Sequence, residues 1–522
     1  MDEADVAALL DGRIPTTPAQ LNALRIVLQI AENALQAAEE RSIPAYLQLQ
    51  PLVAPVDDEG TSLANVLRTA SGGSLPSIPE ADPSSAALGR LARDAYPAFL
   101  LPSPRDHWLG FHVPLGALTF RHPAANAFAE AVLEDPDLSK LFPFETESQG
   151  RIGNYAASTG RGGGLQLAVL PTSLLQDAFH RILTREVHDA DSFAREAQGQ
   201  VDLLRRLARG EIVLVPALLA FTYVRLPQDT SIQTPWGLLR ELRETERDLA
   251  PSDLSGRLSH THADGTNVEV DYSGDVVLET EVPLRIEILP SMDAEPDLSK
   301  MSSAGAELER RASLISLAIT LASEHKPYAF AIPTWQVIFD PLAHGPMLSW
   351  RERTRGGIGI SPRQVERSEL SRIESWSKTI ADAHNTNIDI AIRRLQTAIA
   401  DRRNVVDSLI DLVIAWENLF GSSQGEATLR LSGSLAILLT EDPTRRREIK
   451  RQVSRTYGLR SKVVHGATEL DPSTTTQQVL AAIDLTVEAL RELYGERSDL
   501  LAAPSSGDRS TALILGERPS QQ

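Results

Sequence analysis

Two residues near the C-terminal end of the chain, Arg460 and His465, combine the side chains needed to bind a phosphate and to move a proton. Positions five apart on a straight α-helix point about 140° apart, so these side chains converge only where a helix ends. Gly466 follows directly and is a typical helix-terminating residue. A histidine in the last helical turn is favoured in its protonated form. Because RNA carries its own nucleophile in the 2′-OH, a cation and an acid/base are sufficient to cleave it without a metal ion.

Three further residues are candidate supports for this pair: Ser461, which follows Arg460, and Glu417 and Asn418 earlier in the sequence. A structural interpretation competes with this one. In it, Arg460 forms an ion pair with Glu417 or Glu469, and the histidine only caps its helix. The sequence leaves both interpretations open.

A basic segment precedes the pair. Residues 445–462 contain eight Lys or Arg residues and one acidic residue, Glu448. Six of the basic residues are predicted to bind RNA phosphates: Arg445, Arg446, Lys450, Arg451, Arg455 and Lys462. The alternative is an ordinary solvated helix surface. The whole chain has a net charge of −19, but residues 371–500 hold 17 basic and 18 acidic residues, so the negative excess lies outside this region.

The motif from Tyr457 to Gly466 follows a second helical motif, Trp416-Glu-Asn-Leu-Phe420, within a long run of helical sequence. Together they resemble the HEPN superfamily, specifically Apea-like HEPN domains, over roughly residues 378–497. The resemblance implies a helical bundle that acts as a metal-independent endoribonuclease in prokaryotic defence or as a toxin. It also implies Arg460 and His465 as the catalytic residues, and products ending in a 2′,3′-cyclic phosphate and a 5′-OH.

The same resemblance implies a symmetric homodimer through the C-terminal bundle, with no cofactor and no metal. RNA is the expected partner, and an unknown trigger or regulator is expected to act on the N-terminal region. The alternative function is a noncatalytic HEPN module that binds a nucleotide, RNA or a protein partner.

Four parts of the chain are expected to position these residues. We predict a helical N-terminal segment with a Gly/Ser/Pro-rich linker over residues 1–87, and an α+β sensor or regulatory domain over 88–365. Residues 368–497 predict the helical bundle, and 498–522 a flexible tail. The predicted fold class is therefore multidomain, with a mixed α+β N-terminal and middle region followed by an all-α bundle.

Other motifs are less informative. The alternating residues His260 and His262 are half of a possible metal motif, but they are better interpreted as an exposed hairpin loop. The glycine-rich residues 151–165 lack the Lys-Ser/Thr of a phosphate-binding loop and predict a flexible loop. The run from Thr234 to Gly237 predicts a turn with no assigned chemistry.

Bulk composition excludes several classes of protein. The absence of cysteine excludes disulfides, thiolate zinc sites and cysteine nucleophiles, and it fits a reducing cytoplasm. No apolar run reaches the roughly 20 residues that a membrane-spanning helix needs. We therefore expect a cytoplasmic protein with no membrane segment.

Overall fold

The fold is described from a computed structural model. The described residues are 6–517, apart from the following gaps: 8, 11, 40–49, 59, 76, 78–81, 101–104, 107–110, 113–121, 147–149, 159–161, 186–188, 248, 255, 263–264, 298–302, 344–346, 351–359, 423–426 and 465–470. The chain forms a mixed α/β N-terminal and middle region followed by a helical C-terminal region, as the sequence predicts. No described helix has an apolar stretch long enough to cross a membrane.

Helices dominate the first part of the chain. Their bounds are α1 (Pro18–Glu39), α2 (Leu63–Ala70), α3 (Pro83–Phe99) and α4 (Pro123–Glu134). The predicted boundary after residue 87 is wrong, because it falls inside α3. Ser62 donates to the Asp94 carbonyl and Asn65 to the Asp94 carboxylate, so residues on both sides of that boundary pack together. Both sides also contribute to one hydrophobic core.

Strands β1 (Arg105–Asp106) and β2 (Phe111–His112) form a separate two-stranded sheet. A small antiparallel sheet comes later in the chain. Its strands are β3 (Phe144–Thr146), β4 (Gly150–Ala157), β5 (Gly162–Gln166) and the later β13 (Ile286–Ile288). The glycine-rich segment is therefore a paired hairpin, and the flexible-loop prediction is wrong. A side chain at Gly153 would collide with the Leu141 carbonyl, so the glycine allows the close approach of two backbones. Helices α5 (Leu170–Thr184) and α6 (Ala190–Ala208) follow.

A six-stranded antiparallel sheet forms the centre of the mixed region, in the order β15-β14-β6-β12-β9-β8. Its strands are β6 (Val213–Thr222), β8 (Ser231–Thr234), β9 (Gly237–Glu241), β12 (Val276–Leu284), β14 (Ile332–Ile338) and β15 (Met347–Trp350). Short elements lie between and after these strands. They are the parallel pair of β7 (Val224–Arg225) and β16 (Arg363–Gln364), helix α7 (Glu244–Arg247), and the hairpin of β10 (Arg257–Thr261) and β11 (Asn267–Asp271). Helix α8 (Ala304–Ala322) packs on this sheet.

The C-terminal helices are α9 (Arg367–Ala383), α10 (Asp389–Gln396), α11 (Val405–Phe420), α12 (Ala427–Leu439), α13 (Pro443–Val464) and α14 (Pro472–Tyr494). A π-helical turn, Thr397–Asp401, continues α10. These helices lie in the range 368–497 that the sequence predicts as a helical bundle. Helices α9 and α10 are separated between Ala383 and Asp389, where Asn385 begins a short 3-10 turn.

One hydrophobic core joins the large sheet to the helical region. Apolar residues of β6, β12, α8, α11 and α14 belong to the same buried cluster. Polar contacts reinforce the junction, since Gln396 exchanges hydrogen bonds with Ser313 of α8 and Arg491 donates to the carbonyls of Leu321 and Ser323. The helical region is therefore continuous with the sheet in packing, although the chain changes character near residue 365.

The predicted flexible tail is wrong for residues 498–515. They form a 3-10 turn, Ser498–Ala502, and helix α15 (Ser506–Leu515), which packs on α11 and α12. Arg509 of α15 is 1% exposed and donates to the carbonyls of Asn418 and Leu419 at the end of α11. Carbonyl groups in the last turn of a helix need such donors.

Candidate nucleic-acid interface on the basic helix

Helix α13 carries the predicted basic segment. Asp442 caps its first turn by accepting from the backbone N–H groups of Thr444 and Arg445, at 3.3 and 2.9 Å. Pro443 follows at a position where its missing N–H costs nothing. Ile449 and Val453 are buried against the neighbouring helices, so one face of α13 is fixed in the bundle. The remaining faces are available for charged side chains.

The motif around Trp416 is mainly structural. The Trp416 indole is fully buried and donates to the Thr486 hydroxyl at 2.8 Å, which fixes α11 against α14. The Asn418 side chain, predicted to support the catalytic pair, instead accepts from the backbone N–H of Ala391 at 3.0 Å. The Glu417 side chain of this motif lies beside Arg460 of α13.

Arg460 lies in the last described turn of α13, with its side chain 28% exposed. Its guanidinium is 3.9 Å from the Glu417 carboxylate, one of the two pairings that the structural interpretation named. The buried Nε of Arg460 has no hydrogen-bond partner among the described residues. Ser461 is half-buried beside it. The structure thus places Arg460 beside Glu417, and the Nε donor of Arg460 keeps no hydrogen-bond partner among the described residues.

Tyr457 is a member of this cluster to which sequence reasoning gave no role. It precedes Arg460 by three residues, so the two side chains are neighbours on the helix surface. Burial and the nearby Glu417 carboxylate raise the pKa of Tyr457, while Arg460 opposes that rise. The hydroxyl therefore keeps its proton at neutral pH and contributes a hydrogen-bond donor. The i, i+3 spacing was the signal that would have identified it.

His465 and Gly466 lie outside the described residues, and so does Glu469, the other proposed partner of Arg460. Helix α13 is described up to Val464, which immediately precedes the predicted catalytic histidine. The predicted convergence of Arg460 and His465 at a helix end stays a prediction.

The six predicted RNA-binding residues differ in their surroundings. Arg446 is half-buried and donates to the Thr440 carbonyl at 2.7 Å, so it caps the end of α12. Arg445 pairs with Glu448 at 3.0 Å, and Arg451 donates to a carbonyl of its own helix. Lys450, Arg455 and Lys462 are exposed. No hydrogen bond or ion pair to another described side chain holds these last three.

The basic residues also occupy two faces of α13. At about 100° per residue, Arg451, Arg455 and Lys462 point roughly 140–180° away from Arg460. Their exposure agrees with this, because they lie opposite the face that Ile449 and Val453 bury. Of these three, only Lys462 is within about 3 Å of Arg460 along the helix axis, since each residue rises 1.5 Å. The sequence had grouped all of them as one surface.

The other histidine motif lies on the β10–β11 hairpin. His260 lies in β10 and His262 just beyond it, with ring centroids 4.8 Å apart. A ring nitrogen of His262 is 2.8 Å from the Pro362 carbonyl. No group of three or more His, Cys, Asp or Glu side chains comes together among the described residues as it would around a metal ion. Asp264 lies outside those residues.

Comparisons with protein-family models, with curated proteins and with solved structures found no match to this chain.

Proposed function

We propose that the C-terminal helical region is a metal-independent endoribonuclease of HEPN type, with Arg460 and His465 as its catalytic residues. The supporting observation is the state of Arg460, which is half-buried at the end of a basic helix and keeps a buried Nε donor without a partner among the described residues. A buried donor without an acceptor costs free energy, so such groups commonly serve a ligand. A phosphate oxygen is an acceptor that suits a guanidinium.

The reaction follows from the groups available. The RNA 2′-oxygen attacks the adjacent phosphorus as its proton passes to a base, and the bond from phosphorus to the 5′-oxygen breaks as that oxygen receives a proton. His465 serves as the acid/base, and Arg460 stabilises the charge that develops on the phosphate. The protonated Tyr457 hydroxyl adds a donor beside Arg460. The products are a 2′,3′-cyclic phosphate and a 5′-OH end.

The proposal includes a homodimer formed through the C-terminal helical region. A single chain offers few cations on the face that contains Arg460, because Arg451 and Arg455 point away from it. A two-fold interface through the bundle would place a second copy of α13 beside the first and raise the local positive charge. Light scattering that finds an active monomer at assay concentration would contradict this step.

The test is cleavage of labelled RNA by the full chain in excess EDTA, with both product ends mapped. We expect cyclic-phosphate and 5′-OH ends from the wild type and none from His465→Ala or Arg460→Ala. Arg447→Ala is the matched control, because Arg447 is an exposed arginine of the same helix that is not among the six residues predicted to bind RNA. Cleavage retained in both site variants would overturn the assignment of the site.

The second candidate is a noncatalytic module that binds a nucleotide, RNA or a protein partner. The contact between Arg460 and Glu417 favours it, since an arginine engaged by a carboxylate is a structural element as readily as a catalytic one. RNA binding without cleavage, unchanged in His465→Ala, would support this candidate instead. Prokaryotic defence or toxicity, a cytoplasmic location, and a sensor role for residues 88–365 belong to the first proposal and rest on the family resemblance.

A further inference from the structure

The end of the β10–β11 hairpin carries two histidine rings close to each other. His260 pairs across the hairpin with Val268, and His262 follows it by two residues. Side chains two residues apart in extended backbone lie on the same face, and this face also presents Leu258. The centroids of the two imidazole rings are 4.8 Å apart. The pair is distinct from the Arg460 cluster, and nothing proposed above uses it.

The backbone that carries these rings is fixed. The His262 N–H donates to the Thr266 carbonyl at 2.8 Å, and the His262 carbonyl accepts from the Gly265 N–H at 2.9 Å, so backbone pairing continues past the end of β10. Gly265 has a φ of +87°, a conformation that favours glycine. On the other strand, Val268 and Val270 are buried and anchor the hairpin. A fixed backbone reduces the entropy lost when two side chains bind one ligand.

One hydrogen bond determines which nitrogen of His262 carries the proton. The Nε2 atom of His262 is 2.8 Å from the carbonyl of Pro362, which lies 100 residues later in the chain. Because a carbonyl can only accept, Nε2 is the protonated nitrogen, and Nδ1 of the neutral ring keeps its lone pair. Histidines that bind metal ions commonly donate their other ring N–H to a backbone carbonyl in this way.

The remaining ring nitrogens of the pair are not engaged. Among the described residues, no hydrogen bond or ion pair involves Nδ1 of His262 or either nitrogen of His260. Both side chains are half-buried, so the rings contact the protein on one side and solvent on the other. Each ring therefore has a nitrogen that can bind an ion without giving up a contact within the protein.

The separation of the two rings suits a single ion bound to both. A nitrogen–metal distance of about 2.1 Å places each ring centre about 3.2 Å from the ion. Two ring centres 4.8 Å apart then subtend an angle of roughly 95° at the ion. This angle is close to the right angle between neighbouring ligands of a tetragonal or octahedral site. The rings therefore need no change in their separation to share an ion.

Imidazole ligands select the kind of ion. Late first-row divalent ions bind imidazole nitrogen well, and their affinity for a given site is highest for Cu²⁺. Mg²⁺ and Ca²⁺ instead prefer oxygen ligands. The chain has no cysteine, so thiolates do not compete for the ion. No third His, Cys, Asp or Glu side chain joins the pair among the described residues, so water completes the coordination and the affinity is moderate.

We propose that His260 and His262 form a binding site for a divalent transition-metal ion, with Cu²⁺ bound most tightly. The ligands from the protein are Nδ1 of His262 and one ring nitrogen of His260. The ion holds the two rings together at the end of the hairpin, and the Pro362 carbonyl supports the His262 ring from the segment that precedes β16. The role of this ion is structural, and the proposed cleavage of RNA does not depend on it.

The experiment uses the full-length protein, stripped of metal with EDTA and transferred to a buffer that binds metal ions weakly. Calorimetric titrations with Cu²⁺, Ni²⁺, Zn²⁺ and Mg²⁺ should find Cu²⁺ bound at micromolar concentration, Ni²⁺ and Zn²⁺ bound more weakly, and no binding of Mg²⁺ at this site. Pulsed EPR of the Cu²⁺ complex should detect two coordinated imidazoles. If Cu²⁺ does not bind at about 100 μM, or if its complex contains no pair of imidazoles, the proposal is wrong.

His260→Gln is the main variant, because it removes one ligand and no hydrogen bond to another described residue. Its affinity for Cu²⁺ should fall about 100-fold, and the remaining complex should contain one imidazole. His262→Gln should also lose binding, and its melting temperature without metal separates this loss from the loss of the Pro362 contact. The matched control is His325→Gln, an exposed histidine outside the hairpin. Equal affinity of His260→Gln and His325→Gln would mean an adventitious ion elsewhere and would overturn the proposal. The RNA cleavage test is performed in EDTA, which removes the ion from this site, so the two proposals fail separately.

Discussion

One buried carboxyl group of the helical region and two of the mixed region have different surroundings. In the helical region, the buried Asp411 accepts from Arg394 at 2.7 Å and from Arg402 at 2.6 Å. In the mixed region, Asp177 and Asp275 are buried where nearby cations do not offset the cost of burial, and the pKa of each is raised. The first arrangement pairs the carboxylate with two arginines, whereas burial in the second raises the pKa of the carboxyl group.

The difference indicates where pH and mutation should act. A substitution at Asp411 should act through the loss of its two arginine contacts. A carboxyl group with a pKa raised to about 7, such as Asp275, makes the stability of the fold depend on pH near neutrality. Among the described residues, the Nε donor of Arg460 in the helical region and both carboxyl oxygens of Asp177 in the mixed region lack hydrogen-bond partners.

The largest expected effect concerns Arg460, whose buried Nε donor in the helical region has no hydrogen-bond partner among the described residues. Arg460→Lys should lower the rate of RNA cleavage by about 100-fold or more, because an ammonium group cannot replace two parallel N–H donors to a phosphate. The melting temperature should change little, since the Glu417 contact is long and a partly exposed pair contributes at most about 1 kcal/mol. Single-turnover cleavage and thermal unfolding measure the two effects. Near-normal cleavage by the lysine variant would mean that Arg460 acts only as a charge.

Asp275→Asn tests the proton-binding side of the comparison. Burial raises the pKa of Asp275 to about 7, with Arg225 and Arg247 lowering it and Asp271 raising it. Since the folded pKa lies above the unfolded value, the wild type should lose stability as pH rises from about 4 to about 7, by roughly 2–4 kcal/mol. The asparagine variant should lack this loss and be the more stable protein at pH 8. Urea unfolding at pH 5 and pH 8 measures it.

The control for that prediction is Asp253→Asn, at an exposed position nearby in the sequence. It should unfold like the wild type at both pH values. If Asp275→Asn is less stable than the wild type at pH 8, then the carboxylate is ionised and paired in the fold, and the contrast between the two regions fails.

Asp411→Ala tests the paired side of the comparison. The substitution removes two charge-assisted hydrogen bonds between α11 and the segment containing α10, which should cost about 2 kcal/mol. The loss is moderate because Arg394 and Arg402 are more than one-third exposed and regain water. Urea unfolding measures the destabilisation. Asp382→Ala, at an exposed site on α9, is the control, and equal stability of the two variants would contradict a stabilising role of the Asp411 contacts.

The smallest effect concerns two cations on the outward face of α13 that differ in their distance from Arg460 along the helix axis. Lys462 is about 3 Å from Arg460 along that axis, whereas Arg451 is about 14 Å away. Lys462→Ala should lower the salt dependence of RNA binding by about one phosphate contact, and Arg451→Ala should lower it by less. Both variants should keep the wild-type stability. An equal loss in both would mean that RNA follows the outward face of α13.

Local sequence patterns predicted most of the secondary structure. Helix α11 ends at the C-cap Gly421 and α13 begins at Pro443, because helix starts and stops depend on residues a few positions away. The hairpin at residues 150–166 and the helix α15 were missed. Their stability comes from partners distant in the chain, such as the Leu141 carbonyl beside Gly153 and the α11 carbonyls that Arg509 binds.

The sequence by itself determined that a basic helix carries Arg460 within a run of helices, because helical periodicity, capping residues and charge are local properties. Only the tertiary structure decided which cations of this helix face outward and that the Asn418 side chain accepts a hydrogen bond from the Ala391 backbone N–H. It also decided that α8 contributes to one core with the sheet and the helical region. It also brought the end of α5 and strand β6 to the walls of one groove of about 570 Å³. These features depend on the packing of segments far apart in sequence, and burial between such segments is what sets the surroundings of each charged group.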